Sequence, residues 1–250
     1  ELINNDPVEK VDKENKIVTT SKGIEVEYDI CIFATGSKAF VLPIPGSNLP
    51  SVIGWRTIDD TNKMIEIAQT KKRAVVIGGG LLGLECARGL LDQGMEVTVL
   101  HLADWLMEMQ LDRKAGDMLK ADLEKQGMKI ELQANSKEII GDKDVEAIKL
   151  ADGRVIETDL VVMAVGIRPY TEVAKDSGLD VNRGIVVNDY MQTSDSHIYA
   201  VGECAEHDGK VYGLVAPLYE QGKVLADYLT GKETKGYKGS TTFTSLKVSG

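Results

Sequence analysis

Apolar and polar positions between residues 73 and 101 predict a strand, a helix and a second strand in succession. Residues 73–77 consist of an arginine and four apolar residues, which is typical of a short strand buried in a sheet. Residues 81–93 are predicted to be helical, and Gly94 follows as a helix stop. Residues 96–100 form the next strand. This strand–helix–strand unit indicates an α/β protein.

The remaining pattern predicts further strands, turns and helices on both sides of this unit. Residues 29–36 carry a nearly continuous apolar run, as expected of a strand buried on both faces. Residues 43–50 contain three prolines and a glycine, so we expect a linker and a domain boundary there. The other predicted helices are 57–69, with a capping box at Thr57, 113–126, with Asp112 as N-cap, and 217–229. Strands 16–20 and 24–28 are predicted to form a hairpin, and residues 136–166 are predicted to form strands with Asp152-Gly153 as a hairpin turn. Further strands are predicted at 128–132, 184–187, 197–202 and 243–248.

Three glycines, Gly78, Gly80 and Gly83, lie where the strand 73–77 meets its helix. Their spacing alone is weak evidence in a chain with 25 glycines, and the strand–helix–strand setting makes it specific. We expect Gly78 to permit the tight turn, Gly80 to let the backbone approach a pyrophosphate, and Gly83 to let the helix pack on the strand. Unpaired N–H groups at the helix start favour an anion. The sequence therefore predicts a dinucleotide site, which Gly79, Leu81 and Leu82 complete.

The residue that follows the second strand should recognise the adenosine ribose of the nucleotide. An acid at this position typically binds the ribose hydroxyls of NAD, whereas this chain has His101. A neutral imidazole could hydrogen-bond the ribose, and a protonated one could favour NADPH. An exposed histidine at a strand end is the structural alternative. We expect NADH to be preferred, although no residue decides the choice.

Composition and charge exclude several classes of protein. The formal net charge is −10, and an acidic chain repels a phosphate backbone, so we expect no nucleic-acid partner. No apolar run approaches the roughly 20 residues of a membrane span. The three cysteines, Cys31, Cys86 and Cys204, form no C-x-x-C pair and no metal-ligand set. Their sparse, odd number favours a reducing cytoplasm.

Three further segments surround the glycine turn in a fixed order. Ala34-Thr35-Gly36 ends one predicted strand, residues 164–169 end a second, and residues 198–203 end a third. Together with a turn that continues into Leu84-Glu85, this order resembles the FAD-dependent pyridine nucleotide–disulfide oxidoreductase superfamily. The resemblance covers nearly the whole chain.

The resemblance implies an α/β fold in which a Rossmann-like NAD(P)-binding domain of the three-layer ββα/βαβ type is inserted in a partial FAD-binding domain. Residues 1–52 and 170–250 would belong to the FAD domain, and residues 53–169 to the NAD(P)H domain. Glu203 matches the acid that hydrogen-bonds the flavin ribityl chain, and Glu85 matches a residue near the nicotinamide–flavin contact. An exposed acid after a strand and a helix-surface acid are the structural alternatives for these two. The implied FAD contacts are Ala34, Thr35, Gly36, Gly202, Glu203, Pro217 and Leu218, and Gly166 joins the NAD(P)H contacts.

Within the superfamily, residues 101–107, 110–112, 201–207 and 246–250 look like the large subunits of assimilatory NAD(P)H nitrite reductases. That family passes electrons from NAD(P)H through FAD and an iron–sulfur cluster to sirohaem, where nitrite is reduced to ammonium. The implied partners are electron-acceptor domains of the same parent chain and a small nitrite reductase subunit. A homodimer is one option for the oligomeric state, which the sequence leaves open.

Both ends of the sequence look cut, and the first FAD glycine fingerprint and the cluster cysteines are missing. We therefore expect an internal piece that binds nucleotide, has half of an FAD site and does not reduce nitrite alone. Two alternatives stay open. One is a flavoprotein that reduces rubredoxin, ferredoxin or a disulfide, and the other is a non-catalytic nucleotide-binding module.

Overall fold

The computed structural model describes residues 1–248 as a series of short strands and five-to-fifteen-residue helices. The strands in chain order are β1 (Val8–Asp12), β2 (Ile17–Thr20), β3 (Glu25–Glu27), β4 (Cys31–Phe33), β5 (Ser37–Ala39), β6 (Val52–Gly54), β7 (Arg73–Ile77), β8 (Glu96–Leu100), β9 (Lys129–Glu131), β10 (Ser136–Ile140), β11 (Ala147–Leu150), β12 (Val155–Glu157), β13 (Leu160–Met163), β14 (Ile167–Pro169), β15 (Ile185–Val187), β16 (Ile198–Ala200), β17 (Ala205–His207) and β18 (Lys210–Val211). The helices are α1 (Ile58–Ala68), α2 (Leu81–Asp92), α3 (Arg113–Lys125), α4 (Glu172–Asp176) and α5 (Val215–Leu229), and Gly202–Cys204 forms a 3-10 turn.

The chain folds into two compact units, and the second interrupts the first in sequence. The first unit contains residues 1–38 and 167–244. The second unit contains residues 39–166 and the described residues from Ser245 to Val248. A domain boundary was predicted after residue 52, whereas the first unit ends at Lys38. Leu42, Ile44 and Leu49 explain the difference, because they pack against the core of the second unit.

The second unit is built on a five-stranded parallel sheet with the strand order β6-β13-β7-β8-β9. Helix α2 packs against β7 and β8, and α3 packs against β9. A separate antiparallel sheet, β10-β11-β12, turns between its last two strands at Gly153, whose φ is +93°.

Alternate residues of strand β7 pack into two different cores. Ala74 and Val76 lie in a cluster with Leu84 of helix α2. Val75 and Ile77 lie in another cluster with the antiparallel sheet. Because successive side chains of a strand point to opposite faces, both faces of β7 are covered, and the four positions after Arg73 are all apolar. The central sheet thus lies between a helical layer and a β layer.

The first unit contains the antiparallel sheet β1-β2-β3, the parallel pair β4 and β16, and the sheet β15-β17-β18. Its core includes Phe33, Ile198 and Leu225, which are all buried. Strands β4 and β16 run in the same direction, so the segments that follow them leave from the same edge.

Several predicted elements are confirmed with small changes of boundary. Helices α1, α2 and α3 begin where the sequence predicts, and the capping box of α1 is formed between Thr57 and Asp60. Helix α5 begins at Val215, two residues before the predicted start. Helix α4 was not predicted, because five residues are too short for a periodic signal.

Two predictions about strands are wrong. Residues 243–248 were predicted to form a strand, but they have no regular secondary structure. Residues 29–36 were expected to be buried on both faces, whereas Ile30 and Ile32 are 45% and 46% exposed. Within the described residues β4 pairs only with β16. Cys31 and Phe33 pack in the core of the first unit, whereas Ile32 between them is on the exposed face of the strand. Residues 249–250, the end of one family-like motif, lie outside the described residues.

Residues 1–248 contain neither a membrane-spanning helix nor a metal-ligand cluster. No helix in this part of the chain combines the length and apolar character that crossing a membrane requires. No group of three or more His, Cys, Asp or Glu side chains among these residues is arranged to hold a metal ion.

Candidate functional site

The glycine turn between β7 and α2 needs glycine at its first and last positions for different steric reasons. Gly78 has φ +120°, and a Cβ atom there would lie 2.4 Å from the carbonyl oxygen of Ala164. A Cβ atom on Gly83 would lie 1.9 Å from the carbonyl oxygen of Gly78. These contacts match the predicted roles of a tight turn and of close helix–strand packing.

Gly80 differs, because a Cβ atom there would meet no protein atom within 4 Å. Gly80 is the N-cap of α2 and provides no side-chain hydrogen bond to the first helical turn. The N–H groups of that turn and the positive end of the helix dipole can therefore interact with an anion. The open space at Gly80 is what the backbone needs to approach a pyrophosphate.

A cavity of about 600 Å³ opens beside this turn within the second unit. Gly78, Gly80, Leu81, His101 and Gly166 line it, together with residues from the loop after β8 and from the segment 134–136. Its volume falls in the range of small-molecule and cofactor sites. The structure thus brings five of the predicted nucleotide-binding residues to one cavity.

His101 is buried, with 7% of its surface exposed, and both ring nitrogens are hydrogen-bonded inside the chain. The backbone N–H of Gly79 donates to Nδ1 of His101 at 3.0 Å. Nδ1 therefore carries no proton, and Nε2–H donates to Oε2 of Glu108 at 2.9 Å. A Cβ atom on Gly79 would lie 2.7 Å from the imidazole Cγ, so glycine is needed there to admit the ring. His101 supports the turn, and the exposed strand-end alternative is wrong.

The loop of residues 102–111 is held against the glycine turn. The backbone N–H of Met107 donates to the carbonyl oxygen of Gly79 at 3.0 Å. Leu106 and Met107 are buried in the core, and the φ of Met107 is +54°, a conformation that few non-glycine residues adopt. Glu108 follows at once and lines the cavity with 35% of its side chain exposed.

The predicted residues Leu82 and Glu85 lie on helix α2 and do not line the cavity. Leu82 is 49% exposed. Oε1 of Glu85 accepts a hydrogen bond from the backbone N–H of Lys247 at 3.1 Å. A role for Glu85 near the nicotinamide stays a prediction.

In the first unit, the predicted flavin-binding segments follow the adjacent parallel strands β4 and β16. Ala34, Thr35 and Gly36 come after β4, and Gly202 and Glu203 come after β16. Gly36 and Gly202 have φ values of +65° and +89°, and a Cβ atom on either would meet nothing within 4 Å. The two loops therefore leave open space where a cofactor could contact the backbone, which fits the implied flavin site.

Glu203 is a buried carboxylate that is 7% exposed. The hydroxyl of Ser37 donates to its Oε2 at 2.6 Å. The backbone N–H of Gly202 donates to Oε1 of Gln221, which is fully buried on helix α5. Pro217 is the third residue of α5, where its missing N–H removes no helical hydrogen bond, and Leu218 follows it. Helix α5 thereby fixes the turn that carries Glu203, and the exposed-acid alternative for Glu203 is wrong.

The three cysteines form no disulfide with one another in the described part of the chain. All three are free thiols, and Cys86 and Cys204 are buried. Burial raises the pKa of the Cys86 thiol to about 12, so its reactive thiolate form is suppressed. This agrees with a packing role for that side chain.

Sequence reasoning missed Glu108, Ser37 and Gln221. Gln221 offered a signal, because it is a polar residue on the buried face of an amphipathic helix. Ser37 directly follows the predicted Ala-Thr-Gly segment. Glu108 gave no signal, since only the folded loop brings it to His101.

Comparison with known proteins gives the class of this protein. The pyridine nucleotide-disulphide oxidoreductase family matches residues 1–222. The chain belongs to this family, which confirms the resemblance inferred from the motifs and the α/β fold that it implied.

Within the family, the chain is similar to oxidoreductases and electron-transfer subunits. The chain is 58% identical over its whole length to a nitrite reductase [NAD(P)H] of Bacillus subtilis (strain 168), of which it spans 31%. It is 45% identical over 249 residues to an assimilatory nitrate reductase electron transfer subunit of the same strain, of which it spans 32%. A crystal structure of the ferredoxin reductase for the CYP199A2 system from Rhodopseudomonas palustris superimposes with a TM-score of 0.89 at 31% identity, covering 96% of this chain and 60% of that one.

Proposed function

We propose that this chain is the NAD(P)H:flavin electron-transfer part of an assimilatory nitrite reductase. The second unit binds NAD(P)H at the glycine turn, and the first unit contributes to binding FAD. The geometry of the glycine turn is the main support for a nucleotide site. Gly78 and Gly83 are sterically required, whereas Gly80 is open beside a cavity of about 600 Å³. The predicted domain roles, with FAD in the first unit and NAD(P)H in the second, follow from this assignment.

The flavin would be held by the segments 34–36 and 202–203 and by the start of helix α5. When bound, FAD accepts a hydride and hands electrons on to one-electron carriers. The protein residues orient the cofactor. Glu203, fixed by Ser37 at 2.6 Å, presents a carboxylate that can accept hydrogen bonds from ribityl hydroxyls. No side-chain acid or base is needed for hydride transfer.

For the whole protein we propose the six-electron reduction of nitrite to ammonium in the cytoplasm, with an iron–sulfur cluster and sirohaem in parts outside this chain. The likeness to the Bacillus subtilis nitrite reductase supports this activity, and the chain spans 31% of that relative. The partners would be electron-acceptor domains of the parent chain and a small nitrite reductase subunit, and a homodimer is a further option.

The test uses the complete protein that contains this chain. NADH or NADPH is supplied anaerobically with nitrite, and ammonium and oxidised nucleotide are measured. We expect about three nucleotides oxidised per ammonium formed, because each delivers one hydride. The 250-residue chain alone should bind nucleotide and form no ammonium. Ammonium formation by the chain alone, or none by the complete protein, would contradict the proposal.

A second candidate function is the reduction of a small redox protein such as rubredoxin or ferredoxin. It is favoured by the structural likeness to the ferredoxin reductase of Rhodopseudomonas palustris and by 33% identity to an NADH-rubredoxin oxidoreductase of Clostridium acetobutylicum. The complete protein would then reduce a rubredoxin or ferredoxin and leave nitrite unchanged. A non-catalytic nucleotide-binding module would do neither.

A further inference from the structure

His101 follows strand β8 at the position where a carboxylate typically binds the adenosine ribose. We propose that Glu108 binds the adenosine ribose hydroxyls of the nucleotide and makes this site select NADH over NADPH. The inference rests on the proposed binding of NAD(P)H at the glycine turn. It names a residue that determines specificity within that site.

His101 occupies the strand end, but it has no nitrogen left to bind ribose directly. Nδ1 accepts the N–H of Gly79, and Nε2–H donates to Oε2 of Glu108. Within residues 1–248, Oε1 of Glu108 accepts no hydrogen bond. The imidazole therefore acts as a bridge: it uses one carboxylate oxygen and leaves the other for a ligand.

The loop holds Glu108 in a defined place. Met107, its neighbour, is 5% exposed and is hydrogen-bonded through its N–H to Gly79. Leu106 is fully buried, and the indole N–H of Trp105 donates to the carbonyl oxygen of Leu111 at 3.0 Å. Leu106 and Met107 fix the backbone immediately before Glu108, and His101 binds one of its carboxylate oxygens. The Glu108 carboxylate is therefore oriented before a nucleotide binds.

Glu108 lines the same cavity as Gly78, Gly80 and His101. A dinucleotide whose pyrophosphate lies on the glycine turn places its adenosine ribose near the end of the second strand. The hydroxyls of that ribose are donors, and a carboxylate oxygen is a strong acceptor for them.

The charge of the cavity disfavours the other nucleotide. In NADPH a phosphate replaces the hydrogen of the ribose 2′-hydroxyl. This position can then no longer donate a hydrogen bond to Glu108, and the phosphate adds negative charge beside that carboxylate. Among the described residues that line this cavity there is no lysine or arginine to offset that charge. Repulsion between Glu108 and the 2′-phosphate disfavours NADPH, and the hydrogen bond from the ribose hydroxyl to Glu108 favours NADH.

The test measures binding of NADH and of NADPH to the purified protein by calorimetry. We expect the wild type to bind NADH at least about tenfold more tightly, since hydrogen bonds to a charged group are worth that much. Glu108→Gln, which is nearly isosteric, should lower this NADH:NADPH ratio about tenfold. Glu108→Arg should bring the preference to NADPH.

Asp104→Asn is the matched control, because it removes one negative charge from the same loop. The Asp104 carboxylate accepts from Arg113 at 2.7 Å and does not line the cavity. Its NADH:NADPH ratio should equal that of the wild type, and unchanged thermal unfolding would show that each variant is folded. A Glu108→Gln ratio equal to that of Asp104→Asn overturns the inference about Glu108 alone. If the wild type binds neither nucleotide, the proposed function fails with it.

Discussion

Gly80 and Gly83 lie three residues apart and differ in what a side chain would meet. At Gly83 the added Cβ atom would overlap the backbone of Gly78, so the turn itself would have to move. At Gly80, which lines the cavity, the added methyl group would meet no protein atom within 4 Å. Gly83 is therefore required by the backbone of the turn, whereas Gly80 leaves open space beside it.

Gly80→Ala should weaken nucleotide binding without unfolding the protein. The methyl group blocks close approach of the pyrophosphate to the backbone, so we expect the NADH Kd to rise at least about tenfold. Stability should change by less than about 1 kcal/mol, the scale of exchanges at an N-cap. Calorimetric binding and thermal unfolding measure the two effects separately.

Gly89→Ala provides the matched control in the same helix. A Cβ atom there meets nothing within 4 Å, and Gly89 lies outside the cavity lining. Alanine in a helix interior should stabilise α2 by about 0.5–1 kcal/mol and leave the NADH Kd unchanged. Equal Kd values for Gly80→Ala and Gly89→Ala would show that the pyrophosphate does not lie at Gly80.

At the residue scale, sequence reasoning succeeded where a residue type is required by local backbone geometry. The glycines were predictable because the turn permits no side chain at Gly78 and Gly83. The environment of His101 was not predictable, since it depends on a hydrogen bond from Gly79 and on a loop that folds back over the turn. Glu108 reaches the site by the same loop.

At the scale of elements, Arg73 and Asp159 connect the starts of the neighbouring strands β7 and β13 in the central sheet. The guanidinium Nη2 donates to Oδ1 of Asp159 at 3.1 Å, and the backbone N–H of Arg73 donates to Oδ2 at 2.9 Å. The Asp159 side chain is 19% exposed. Hydrogen bonding to Arg73 holds the pKa of the Asp159 carboxyl below its usual value.

Asp159→Asn should lower the free energy of unfolding of the second unit by about 1–3 kcal/mol at neutral pH. A carboxyl with a lowered folded-state pKa stabilises the protein above its ordinary pKa. That stability is lost as the pH falls below about 3.9 toward the lowered value. The difference between wild type and variant should therefore shrink in that acidic range.

Tryptophan fluorescence during denaturant unfolding measures this effect in the second unit, because Trp55 and Trp105 both lie there. Asp117→Asn is the control, since its carboxylate is 54% exposed and lies 3.7 Å from Arg113. We expect it to lose less than about 1 kcal/mol. Equal losses for the two variants at all pH values would contradict the role given to Asp159.

At the element scale, strands and helices with covered faces were predictable and isolated segments were not. Strand β7 has apolar residues toward both layers, so its run was distinctive. Residues 243–248 show the opposite case. Their apolar side chains Leu246 and Val248 pack against the core of the second unit without pairing in a sheet. A short apolar run does not distinguish these two forms of burial.

For the whole molecule, the order of motifs was more informative than any one of them. Residues 39–166 form one unit between the two parts of the other, as expected of a domain inserted in sequence. The first boundary between the units differs from the predicted one, because the prolines at positions 43, 45 and 50 lie in a turn-containing segment that already belongs to the second unit.

We propose above that nucleotide bound at the Gly78–Gly83 turn reduces FAD held by the first unit. The most direct test is an anaerobic titration of the FAD-reconstituted complete protein with NADH, followed by flavin absorbance. Flavin absorbance should fall as NADH is added, with more than one NADH consumed per FAD because the proposed cluster and sirohaem also accept electrons. In Gly80→Ala the titration should shift to at least about tenfold higher NADH. Absence of bleaching in the wild type, or an unchanged titration in Gly80→Ala, would contradict this proposal.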